Sequence, residues 1–135
     1  MPIKLLIVDD SDLIRTSLRA LLGSVAGIAV IREATTLAEA LDSVRRDHPT
    51  LVILDLNLPD GLGMDIIQQL KQRTPTLWLA VLTIQADRSY RQRCLALGAD
   101  WYFDKATETD LLLNVVRRLT AKNPITKLNQ GTPHE

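Results

Sequence analysis

Short apolar runs rich in branched residues break off abruptly at polar side chains in this chain. Ile3 to Val8 stops at Asp9-Asp10, Leu51 to Leu54 at Asp55, Leu77 to Leu82 at Thr83, and Trp101 to Phe103 at Asp104-Lys105. Brought together, these residues would support one kind of chemistry. Three carboxylates repel one another; two unit negative charges ~4 Å apart cost about 4 kcal/mol at an effective dielectric near 20. A cation relieves that cost. Oxygen ligands with few nitrogen or sulfur donors suit Mg²⁺, which takes one or two carboxylates, keeps waters and often accepts a phosphate oxygen. Lys105 adds a positive charge and Thr83 a hydroxyl. Phosphoryl transfer spreads negative charge over equatorial oxygens, so positioning and electrostatics are most of what it needs. An aspartate can itself be the nucleophile and form an aspartyl phosphate, and it is ionised at neutral pH without a general base. Taken singly, each residue has a plainer role open to it. Asp10 or Ser11 can cap the next helix, Thr83 can simply end its strand, and Lys105 can be a solvated surface lysine. The joint placement at strand ends favours the chemistry.

The elements that must position these residues follow from periodicity. Continuous apolar runs of this length read as strands buried on both faces of a parallel sheet. A fifth run, Ile28 to Ile31, ends in Arg32-Glu33, to which no role is assigned. Helical spacing separates the runs. Leu13, Ile14, Ser17, Leu18, Leu21 and Leu22 share one face; Leu37, Leu41 and Val44 a second; Ile66, Ile67 and Leu70 a third. Leu95 and Leu97 end a more polar fourth helix, and Leu112, Val115, Val116 and Leu119 mark the fifth, with Leu113 off its apolar stripe and expected to be exposed. Gly23 and Gly27 bracket the first helix-to-strand turn. His48-Pro49 and Thr74-Pro75 stop helices two and three, because the residue before proline avoids the helical region. Gly98 ends helix four, and Thr107 with Asp110 resembles a capping box for helix five. The expected fold is α/β, five strand-helix repeats with a parallel sheet covered on both faces and joined by right-handed crossovers. Periodicity leaves the strand order open. Ligands of such sheets bind beyond the carboxyl ends of the strands, where the polar residues lie.

Composition narrows the alternatives. The chain has 135 residues, 46% of them hydrophobic, which matches one domain with a core. Residues 1–120 carry the pattern and residues 121–135 read as a flexible tail or linker. Sixteen Lys and Arg balance sixteen Asp and Glu, so charge gives no reason to expect nucleic acid or an anionic membrane as partner. Cys94 is the lone cysteine, expected partly buried and not catalytic; no disulfide can form within the chain. Trp78 and Trp101 are expected in the core. No apolar run is long enough to span a bilayer, and a cytoplasmic location is expected.

The pieces LLIVDDS, LVILDLNLPDGLG, VLT and GADWYFDK occur in an order and spacing that resemble the receiver domain of bacterial two-component response regulators. The resemblance covers Ile3 to Leu119. It implies a flavodoxin-like (βα)5 fold with strand order 2-1-3-4-5. It implies Asp55 as phosphoacceptor, Asp10 as a direct Mg²⁺ ligand with Asp9 assisting, and the backbone carbonyl of Asn57 as a further metal ligand. Thr83 and Lys105 would contact phosphoryl oxygens, and Tyr102 would be the aromatic that reorients with Thr83. Gly63 would permit a tight backbone path after Pro59. Two positions depart from the family pattern. Ile84 stands where a small residue is usual, implying a narrower approach to Asp55. Ala106 stands where a proline, often cis, is usual, implying a trans bond and a different Lys105 loop.

The resemblance implies a histidine kinase or histidine phosphotransfer protein as phosphodonor and a downstream protein partner. Self-phosphorylation and autodephosphorylation would be the only activities; turnover as an enzyme is not expected. Two further readings are an N-terminal receiver fragment of a DNA-binding transcription regulator and a phosphorylation-independent pseudo-receiver that only binds partners. A phosphatase would need a cap insertion, and a flavin domain a phosphate-cradling loop where this chain has the acidic DDSD. Helix four carries Arg88, Arg91 and Arg93 while helix five opens with Glu108 and Asp110, a polarity that fits a dimer through helix four, strand five and helix five, an acidic partner, or an ordinary solvated face.

Overall fold

The computed structural model describes residues 2–84 and 87–121. Its elements, in chain order, are β1 (Ile3–Val8), α1 (Asp12–Leu22), β2 (Ile28–Ala34), α2 (Leu37–Asp47), β3 (Leu51–Leu54), β4 (Asn57–Leu58), β5 (Gly61–Leu62), α3 (Met64–Arg73), β6 (Trp78–Thr83), α4 (Arg88–Leu97), β7 (Trp101–Asp104) and α5 (Thr109–Leu119). β4 and β5 form a separate two-stranded hairpin, and the other five strands build one parallel sheet in the order β2-β1-β3-β6-β7. Counting sheet strands alone, that is the order 2-1-3-4-5. The short hairpin is the one element that periodicity does not announce, since two-residue strands have no period. The expected tail lies outside the described residues from 122 onward.

Alternation along the strands splits the core into two layers. Leu6, Val8, Val52, Leu54, Leu79 and Val81 face α2, α3 and α4. Leu5, Ile7, Leu51, Ile53, Ala80 and Leu82 face α1 and α5. Both layers are closed, so the central strands are apolar at nearly every position, as a sheet covered on both faces requires. Trp78 and Trp101 stack at 5.2 Å between ring centroids; Trp78 is buried and Trp101 half-buried.

Helix ends follow local chemistry. Ser11 Oγ accepts from the Ile14 N–H and so caps α1, and Thr36 Oγ1 does the same for Glu39. His48 closes α2 and Gly98 closes α4 in the left-handed region, where Gly98 has φ 119° and spares the chain a Cβ penalty.

Five expectations need correction. β2 continues through Arg32 and Glu33 to Ala34, because those residues remain in register with Leu6 and Ile7. Leu13 is not on the buried face of α1; it is 74% exposed at the start of the helix, and Ser17 is exposed as well. Leu113 is buried and Leu111 is the exposed leucine of α5, since the buried face is wide enough to take Leu113 beside Leu112, Val115, Val116 and Leu119. The capping box at Thr107 and Asp110 does not form. Glu108 occupies the cap position without capping, and its carboxylate reaches back to the Asp104 N–H at 2.8 Å. Cys94 is fully buried, which pushes its thiol up to about 11.

Candidate functional site

The order in which strands are added reverses at β1: β2 lies to one side of β1, and every later sheet strand to the other. In open parallel sheets ligands bind at that switch point, beyond the carboxyl ends of the strands. Asp9 and Asp55 flank it. Ladder hydrogen bonds carry past the last strand residues to fix them: Asp9 N–H donates to Ala34 O at 3.0 Å, and Asp55 N–H to Val8 O at 2.9 Å. Lys105 is held the same way, its N–H donating to Thr83 O at 2.8 Å.

Side chains of these residues meet. Lys105 Nζ donates to Asp9 Oδ2 at 2.7 Å and lies 3.3 Å from Asp55 Oδ2. Asp9 Oδ1 accepts from the Ser11 N–H at 2.9 Å. Both Asp9 oxygens are therefore engaged. Carboxylate oxygens of Asp9, Asp10 and Asp55 lie within 4.8 Å of one another; Asp9 and Asp55 are buried, Asp10 exposed. Asp55 Oδ1 is the buried side-chain oxygen left without a hydrogen-bond partner among the described residues. An orphaned buried acceptor beside two more carboxylates, with oxygen donors only, fits a hard divalent cation.

Electrostatics reflect this packing. Burial pushes the Asp55 carboxyl above its ordinary value; the Lys105 ammonium opposes the rise and the Asp9 carboxylate adds to it. For Lys105, burial would lower the ammonium, but the hydrogen bond to Asp9 and the charge of Asp55 outweigh it and hold the group above its usual value.

Thr83 ends β6, fully buried and paired in register with Asp104. Tyr102 is also buried, and desolvation pushes its phenol up to about 12. Asn57 opens β4 two residues after Asp55, its side chain exposed. Gly63 earns its place sterically. Its φ is an ordinary −56°, but a Cβ there would sit 2.3 Å from Asp55 O. Ile84 is 70% exposed and packs into neither core layer. The Lys105–Ala106 bond is trans, with no cis bond among the described residues.

Three positioning groups escaped sequence reasoning. Arg15 donates to Asp9 O at 2.7 Å and to Glu33 Oε1 at 2.8 Å, and pairs with Asp12; Arg19 reaches Glu33 Oε2 at 2.6 Å. Asp60 accepts from the N–H groups of Leu37 at 2.8 Å and Ala38 at 3.1 Å, tying the hairpin after Asp55 to the start of α2. Lys71 bonds Asp100 Oδ2 at 2.7 Å and Leu77 O at 2.6 Å under β6. The contacts that join elements, Arg15 and Arg19 with Glu33, Asp60 with Leu37 and Ala38, and Lys71 with Asp100, link residues far apart in sequence. The one local signal was the pair Arg32-Glu33 following an apolar run.

Comparison with known proteins agrees with this arrangement. Residues 5–117 match the response regulator receiver domain model. The chain is similar to the transcriptional activator protein ExaE of Pseudomonas putida, 33% identical over 87% of this chain and 55% of that one. It spans about half the length of the curated relatives it matches. The BeF3-activated DrrB receiver domain superposes with a TM-score of 0.78 at 27% identity, covering 87% of this chain and 97% of that one. A Burkholderia pseudomallei response regulator with a phosphorylated aspartic acid and a calcium ion superposes at 0.75 with 26% identity, over 87% of this chain and 68% of that one. No helix among the described residues is long and apolar enough to cross a membrane. Fold, acidic cluster and family match converge: the chain belongs to the response regulator receiver family.

Proposed function

We propose that this receiver is a phosphorylation-controlled switch in which Asp55 accepts a phosphoryl group from a histidine kinase or histidine phosphotransfer protein. The observation that carries the reading is Asp55 itself: buried, with Oδ2 beside the Lys105 ammonium and Oδ1 unpartnered. Asp55 attacks phosphorus, the new O–P bond forms as the donor's P–N bond breaks, and the departing imidazole nitrogen keeps the electron pair and takes a proton from solvent. Asp10, Asp55 and the Asn57 carbonyl would hold Mg²⁺. Asp9, both of whose oxygens are engaged, assists from behind by fixing Lys105. When bound, the ion neutralises carboxylate charge and the charge growing on the phosphoryl oxygens. Lys105 and the Thr83 hydroxyl bind two of those oxygens, and Tyr102 responds to the shift of Thr83. Phosphorylation and its autocatalytic loss are the only chemistry assigned, and a downstream protein partner reads the result. Residues 1–120 form the unit, expected to act in the cytoplasm, with α4, β7 and α5 as its dimer or partner face.

The test is intact-protein mass spectrometry after incubation with Mg²⁺ and acetyl phosphate or a panel of phosphorylated kinases. One added phosphoryl group is expected, lost with EDTA and lost in Asp55→Ala. No gain from any donor would refute the proposal and leave a phosphorylation-independent binding module. A second reading is favoured by the relatives: the match covers 55% of the transcriptional activator ExaE, so this chain would be the receiver part of a DNA-binding regulator. The intact reading frame decides that question.

A further inference from the structure

We propose that Asp104 and Glu108 are positioning residues for Lys105, forming a two-carboxylate brace in the loop that presents its ammonium; this rests on the reading of Asp55 as phosphoacceptor. The loop between β7 and α5 contains no proline to stiffen it; Ala106 follows Lys105. Its backbone is instead fixed donor by donor. Asp104 N–H donates to Glu108 Oε1 at 2.8 Å. Lys105 N–H donates to Thr83 O at 2.8 Å. Ala106 N–H donates to Asp104 Oδ1 at 2.8 Å. Thr107 and Glu108 N–H both donate to Asp104 O, at 3.3 and 2.8 Å. Five consecutive N–H groups are thus committed, and the two flanking Lys105 go to side-chain carboxylates. A carboxylate that accepts from a backbone N–H makes a charge-assisted bond, stronger than a neutral one. Among the described residues Lys105 carries the ammonium that bridges Asp9 and Asp55, so an error in its backbone passes directly to the phosphoryl site. Neither brace carboxylate contacts Asp55 or the acidic cluster, and both act through Lys105.

Glu108→Ala and Glu108→Gln are made in the full chain, alone and in a Lys105→Ala background. Phosphorylation of Asp55 by acetyl phosphate with Mg²⁺ is timed by mass spectrometry. Glu108→Ala is expected to slow phosphorylation about fivefold or more, since a 1 Å misplacement can cost up to ~100-fold. Glu108→Gln, which keeps an acceptor oxygen, is expected to recover the rate to within about twofold. With Lys105 already removed, Glu108→Ala is expected to change the remaining rate by less than about twofold, because coupled residues are not additive. Should Glu108→Ala fail to fold, Asp104→Ala frees only the Ala106 N–H and carries the same expectation. A wild-type rate in the alanine variant, a glutamine variant as slow as alanine, or an undiminished effect without Lys105 would each overturn the brace. A wild-type protein that gains no phosphoryl group would overturn the phosphoacceptor reading itself.

Discussion

Gly63→Ala sets two effects against each other, and the structure decides between them. Gly63 starts α3 with φ −56° and ψ −32°, a conformation alanine adopts freely. On conformational entropy alone the substitution would stabilise the protein by about 0.4–1 kcal/mol. Space opposes it. The new Cβ would stand 2.3 Å from Asp55 O, 3.1 Å from Leu56 Cα and 3.2 Å from Asp55 C. All three neighbours are backbone, so no rotamer can turn aside. Ordinary contact begins at 3.4 Å, so the start of α3 and Asp55 must separate by about 1 Å along the worst direction. Overpacking of this kind costs about 1–3 kcal/mol, which exceeds the entropic gain over most of its range. A net loss of about 1–2 kcal/mol is expected from the two together. It appears as a lower urea midpoint at unchanged slope. The displacement falls on Asp55, so phosphorylation is expected to slow by up to ~100-fold. A variant more stable than wild type would show that the loop yields without strain and would refute the steric account.

Asp60→Ala removes the acceptor for the Leu37 and Ala38 N–H groups. These bonds, the Leu37 one foremost, hold the Asp60 carboxyl below its ordinary value, so its contribution is present above the unfolded aspartate pKa and is lost as pH falls through the lower folded value. The variant's urea midpoint should lie below wild type at neutral pH and converge with it in acid; a constant gap down to acid pH would refute the assignment. Tyr102 is shifted the other way. Burial raises its phenol to about 12, so the neutral phenol's contribution is intact below pH ~10, the unfolded value, and drains away as pH rises toward 12. Tyrosinate absorbance should report one phenol titrating well above the ordinary range, and Tyr102→Phe should remove it; a folded protein whose Tyr102 ionises near 10 would contradict the buried placement.

The fold was readable wherever a local period carried it. β1, β3 and β6 are apolar along nearly their whole length because both faces are covered, and their ends announced Asp9, Asp55 and Thr83 without any knowledge of pairing. Ser11 and Gly98 were readable because caps are set within a few residues. What failed depended on distance or phase. Arg15 and Glu33 are 18 positions apart, and Lys71 and Asp100 are 29 apart, so no window could pair them. Leu13 is exposed because it lies on the outer face of α1 with Ser17 and Ala20, while Ile14, Leu18, Leu21 and Leu22 turn to the core. Glu108 was read as surface charge because a side chain reaching backward to Asp104 leaves no helical signature.

Division of labour among the three carboxylates follows from which oxygens are already engaged. Asp9 is buried with both oxygens bonded, so it behaves as a fixed post for Lys105. Asp10 is exposed and Asp55 Oδ1 is unpartnered, so these are the groups with acceptor capacity to spare. Leaving a buried carboxylate oxygen unpaired costs stability, and Asp55's raised pKa is the same cost seen through protonation. Such a cost persists at a functional site when surrounding structure overdetermines the geometry. Here it does: the Asp9, Asp55 and Lys105 N–H groups each extend a ladder one residue beyond a strand. Each chemical side chain therefore projects from backbone as rigid as the sheet, one step outside the core. On the proposed reading of Asp55 as phosphoacceptor, that placement denies Asp9, Asp55 and Lys105 the freedom to relax away from one another, which is what a site preorganised for developing charge requires.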